Sequence, residues 1–115
     1  MEDLKALQLF QEVLTKTKAG RIKWEPTASE SEYFSVLPGG FTIAVRTWDE
    51  RDDWGTESPQ LALVLRSGEQ ELLRVTADVD GVGWRGLTEL FESARRRALN
   101  VDAAVDKLLG ELSKL

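Results

Sequence analysis

Tyr33-Phe34-Ser35-Val36-Leu37-Pro38-Gly39-Gly40-Phe41-Thr42-Ile43-Ala44-Val45-Arg46-Thr47-Trp48 is the stretch on which the architecture turns. From Phe41 onward the residues alternate. Phe41, Ile43, Val45 and Thr47 fall on one face, and Thr42, Ala44, Arg46 and Trp48 on the other. That is the two-residue period of a strand with one side buried. Pro38-Gly39-Gly40 supplies a residue with a preset φ, followed by two that accept positive φ. The β-rich runs on either side are therefore predicted to fold back on each other as a hairpin. Trp48 lies opposite Phe41, Ile43 and Val45, so it should point outward or sit under a helix if those three face the core.

Working upstream, Leu4, Leu7, Phe10, Val13 or Leu14, and Thr17 recur at helical spacing, which predicts a helix over residues 2–18. Glu2 and Asp3 suit its positive end, Lys16 and Lys18 its negative end, and Gly20 is a natural stop. Ile22 and Trp24 then alternate with Arg21, Lys23 and Glu25, which predicts a short strand ended by Pro26.

Working downstream, Asp49 to Pro59 is polar and acidic and reads as a long connection. Leu61 to Arg66 and Leu72 to Ala77 form a second hairpin about Ser67-Gly68-Glu69-Gln70. Connections this short require antiparallel pairing, because parallel neighbours need a crossover of about a dozen residues or more. After a turn-rich segment from Asp78 to Gly83, Leu87, Leu90, Phe91, Ala94 and Ala98 mark a helical face, with Glu92 and Arg96 as a favourable pair. Asn100 should end that helix, and Asp102 should cap another carrying Val101, Val105, Leu108, Leu109, Leu112 and Leu115. The predicted class is α+β in one domain over residues 1–115. It has an N-terminal helix, a four- to five-stranded antiparallel meander and two C-terminal helices packed on one face of the sheet.

The composition narrows the chemistry. The 115 residues contain no cysteine and no histidine, which removes disulfides, thiolate nucleophiles, thiolate zinc sites and imidazole acid–base catalysis. Fifteen basic against twenty acidic residues give a net charge of -5, which disfavours nucleic acid as a partner. The apolar runs are too short for a membrane span. Acidic residues in Met1-Glu2-Asp3-Leu4 stand where a secretory signal would be basic, so a cytoplasmic setting is expected.

Asp49-Glu50-Arg51-Asp52-Asp53 concentrates carboxylates of the kind that hard cations prefer, but it lacks EF-hand spacing and reads as a solvated loop. Trp48 and Trp54 bracket it, and large aromatics beside charge are typical of interface hot spots. Trp48, Asp49, Asp52, Asp53 and Trp54 are thus the candidate partner-binding residues. Arg85 and Arg95-Arg96-Arg97 form the densest basic group. Successive helical residues step by about 100°, so the three adjacent arginines cannot converge on one ligand and read as a solvated face. Gly81-Val82-Gly83-Trp84-Arg85-Gly86 lacks the Gly-Lys-Ser/Thr ending of a phosphate loop and reads as a connection. The serines have no histidine to activate them and no recognisable Ser-x-x-Lys arrangement. No catalytic, metal or cofactor-binding residue is assigned, and no cofactor is expected.

The layout has a short leading helix, Gly20-Arg21-Ile22-Lys23-Trp24, a meander, and Trp84, Leu87, Leu90 and Ala94-Arg95-Arg96-Arg97-Ala98-Leu99 before Asp102. It resembles a family of small uncharacterised bacterial α-β-α domains, and the resemblance carries no activity. The expectation for function is a small non-catalytic protein-interaction module that presents its sheet or its acidic Trp-bearing loop to another protein, or pairs with itself: the apolar positions 101, 105, 108, 112 and 115 approach the 3.5-residue seam of paired helices, which a helix of the same chain would satisfy equally well. The alternatives are an acidic immunity- or chaperone-like protein that neutralises a basic partner, and a carboxylate- or metal-dependent enzyme about Asp49, Asp52 and Asp53.

Overall fold

A computed structural model describes residues 4–77 and 83–115. The elements are α1 (Leu4–Lys18), β1 (Glu25–Pro26), β2 (Glu32–Leu37), β3 (Phe41–Arg51), β4 (Glu57–Ser67), β5 (Gln70–Thr76), α2 (Gly83–Ala98) and α3 (Val101–Leu112). The five strands form one antiparallel meander in chain order. With one helix before the sheet and two after it, the class is the α+β arrangement that the sequence predicts. The turn-rich reading of residues 78–82 lies outside the described residues.

The alternation in β3 is the device that builds the core. Ile43 and Val45, with Tyr33 on β2, Leu61 and Leu63 on β4, and Val75 on β5, pack against Phe10 and Val13 of α1 and Leu87, Leu90 and Ala94 of α2. Register aligns these strand residues. Val45 pairs with Tyr33 and Leu63, and Leu63 with Val75, so one apolar row runs across four strands. The approach of α1 to α2 depends on Gly86, because a Cβ there would lie 3.0 Å from the ring of Phe10. α2 begins at Gly83, so Gly83 to Gly86 form its first turn and not a connection.

α1 ends as predicted. Gly20 has φ +76°, the Arg21 N–H donates to the Lys16 carbonyl and the Gly20 N–H donates to that of Thr17, which is a Schellman stop. The segment after it departs from expectation. Ile22 and Trp24 are buried, but the paired strand comes later, with Glu25 opposite Phe34 and Pro26 opposite Tyr33. Residues 22–24 are held by side chains instead of a ladder. The Trp24 indole N–H donates to the buried Thr17 hydroxyl at 3.0 Å, tying the start of the sheet to the last turn of α1.

The C-terminal helices are joined through Asn100, which is left-handed at φ 52°. Asp102 does not cap α3. It accepts from Arg96 at 2.5 Å, and the residue at the cap position is Asn100, without a side-chain bond. α2 contacts every strand, whereas α3 adjoins α2 and buries none of its residues. The Cα radius of gyration is 16.2 Å, against about 13 Å for a compact chain near this size.

Replacing Thr17 with Val should leave the buried Trp24 N–H unpaired and cost about 1–3 kcal/mol. Urea unfolding should show a lower midpoint at unchanged slope, while Thr17→Ser, which keeps a hydroxyl, should lose much less.

Candidate functional site

Among the described residues, three surfaces stand out from the core: a β arm, the sheet face away from the helices, and the apolar side of α3. The arm replaces the long connection expected at residues 49–59. β2 ends its pairing at Arg46 and β5 ends at Ala62, so Trp48–Arg51 and Glu57–Gln60 pair only with each other. Pro59 is tolerated here because such a strand has a free edge. At about 3.3 Å per residue, the four-residue arms project about 13 Å beyond the five-stranded sheet.

The arm separates the residues that the sequence grouped. Trp54 stands at its tip, 90% exposed. One carboxylate oxygen of Asp52 accepts from the Trp54 N–H at 2.9 Å and the Thr56 N–H at 2.8 Å, which shapes the turn. Arg51 and Glu57 pair across it at 2.6 Å. Asp49 and Asp53 face solvent. Among the described residues, no three acidic side chains are grouped so as to hold a metal ion.

Trp48, at the root of the arm, faces a different surface. It lies on the outer sheet face, half-buried, with the Arg74 guanidinium 5.9 Å from its ring centroid and its indole N–H donating to Glu50 at 3.3 Å. Arg74 is fixed by a two-pronged bond to Glu71, at 3.2 and 2.9 Å. Among the described residues no helix covers this face, yet Ala44, Ala62 and Val64 at its centre are buried. Their cover comes from long neighbours in register, with Arg74 opposite Val64 and Arg46 opposite Ala62. Arg74 holds the Glu71 carboxyl below its ordinary range mainly through that hydrogen bond, with partial desolvation opposing and the fields of Arg74, Arg66 and Arg46 adding. Sequence spacing did not single out Arg74 or Glu71, since only the β4–β5 register brings them to Trp48.

The arginine run is dispersed as helical geometry demands. Arg95 faces Glu92 at 4.0 Å, Arg96 bonds Asp102, and Arg97 donates to the Lys18 carbonyl at 3.2 Å. Lys18 in turn pairs with Glu89, so part of this charge clamps α1 to α2.

The third surface is the apolar side of α3. Val105, Leu108, Leu109, Leu112 and Leu115 are 45% to 100% exposed. Val105, Leu108, Leu109 and Leu112 occupy one side of the helix with Asp106, Lys107 and Glu111 outside it, and Leu115 follows its end.

No family model matches the chain, and neither the curated proteins nor the solved structures compared with it give a match. No described helix is long and apolar enough to cross a membrane.

Because the Glu71 carboxyl is depressed in the fold, its pairing stabilises the protein above the ordinary glutamate range. That contribution is lost as pH falls through the lowered folded value. A carbon-detected titration should place Glu71 below the ordinary glutamate value. In Arg74→Gln it should return toward that value, and the stability gap between the two proteins should close on acidification.

Proposed function

We propose that this chain is a small non-catalytic protein-interaction module whose α3 pairs with the α3 of a second copy. The single observation that carries the reading is the exposed apolar stripe on a helix with no buried residue. A soluble chain rarely leaves so many leucines together in water. A second copy fits because the stripe has the same spacing on both partners, near that of paired helices, so a two-fold arrangement is self-complementary. The absence of imidazole and thiol supports a role in binding over turnover. The bacterial setting that the resemblance implies and the cytoplasmic one expected from the N-terminal residues belong to this proposal.

Sedimentation at micromolar concentration should give a dimer for the native chain and a monomer for Leu108→Glu. The variant should unfold at nearly the same urea concentration when both are dilute, because Leu108 is 57% exposed and contributes little to the core. A native chain that stays monomeric at all concentrations rules the pairing out.

The arm favours a second reading, capture of a basic protein. Asp49, Glu50, Asp52, Asp53 and Glu57 outnumber the one Arg51 around the exposed Trp54. Such a surface would meet complementary positive charge, with Trp54 as an apolar anchor. A basic partner should be retained at low salt, released at high salt, and lost with Trp54→Ala. Equal retention at both salts contradicts electrostatic capture.

A further inference from the structure

A cleft of about 340 Å³ opens between residues 26–30 and the C-terminal half of α2. This is at the small end of the range for ligand pockets, roughly 300–1,000 Å³. Tyr33 and Phe91 form part of its lining, packed edge to face with ring centres 5.6 Å apart. Tyr33 is only 2% exposed, and its hydroxyl has no hydrogen-bond partner among the described residues. Thr88 Oγ1 is the one fully enclosed side-chain polar atom without a partner among those residues, so the Tyr33 hydroxyl is not fully enclosed, and Tyr33 is among the residues that line the cleft. A buried phenol normally finds a partner, as the Trp24 indole does with Thr17.

The other polar groups divide into committed and uncommitted. The Thr47 hydroxyl donates to the Gln60 carbonyl at 2.8 Å, and the Thr27 hydroxyl is shared between the carbonyls of Ser29 and Glu32. Both serve the scaffold. Among the described residues Arg95 has only the long 4.0 Å contact to Glu92, and Glu30 lines the cleft with them. Pro26, Phe91 and Leu99 supply apolar wall.

We infer that this cleft binds a small zwitterion with an apolar side chain, the chemistry of a free hydrophobic amino acid. A simple anion would meet Arg95 but also Glu30 and Glu92. A simple cation would meet the carboxylates but also Arg95. A zwitterion satisfies both signs, with its carboxylate on the planar guanidinium and Tyr33 hydroxyl, its ammonium toward Glu30 and Glu92, and its side chain against Phe91 and Leu99.

The test is titration of the full ¹⁵N-labelled chain with L-phenylalanine and L-leucine, and with phenylalaninamide and N-acetyl-phenylalanine, which each lack one charge. At least one free amino acid should shift amide signals in residues 26–33 and 91–99 at millimolar concentration, with both blocked forms about tenfold weaker. Arg95→Gln, at an exposed position, should weaken binding about tenfold. Tyr33→Phe, which keeps the ring packing, should weaken it several-fold. No shift with either amino acid, or equal affinity for free and blocked forms, overturns the proposal.

Discussion

The width of the helical layer is the constraint on which the rest of this molecule depends. Strands lie about 4.8 Å apart, so a five-stranded sheet is about 20 Å across, and helices pack about 10 Å apart. Two helices therefore fill one face. α1 and α2 do so, drawn together at Gly86 and Phe10 and clamped by Lys18, Glu89 and Arg97. α3 is carried at the margin of this layer, against α2, with its apolar side still uncovered.

That division separates folding from association. The buried row from Tyr33 through Val45 and Leu63 to Val75, with its helical cover, closes without any residue of α3. A leucine buried in full is worth about 1.5–3 kcal/mol, so the stripe on α3 holds unused free energy comparable to that of a modest interface. The opposite sheet face needs no such partner. Its small central residues are sheltered by Arg74 and Arg46, and the charge on Arg74 is neutralised in place by Glu71.

Legibility in the sequence followed burial. The alternation in residues 41–47, the helical spacing in α1 and α2, and Gly20 as a stop all report a one-sided core, so they were readable. The stretch from Asp49 to Pro59 reads as a connection because a two-stranded arm has water on both faces, which erases the apolar alternation while leaving the hydrogen bonds. Residues 22–24 show the converse. Their alternation came from burial of Ile22 and Trp24 without a ladder. Asp102 has the composition of a cap, but the left-handed turn at Asn100 and the nearby Arg96 took it elsewhere. Tyr33 and Arg95 carry no local signal of a shared cleft, since tertiary packing alone brings β2 to α2.

The separation of core from association surface is tested most directly by amide hydrogen exchange measured across a range of protein concentrations. The account predicts that α3 exchanges rapidly in dilute solution and gains protection as concentration rises, while α1, α2 and the central strands stay protected throughout. Protection of α3 equal to that of α2 in the dilute monomer would contradict it.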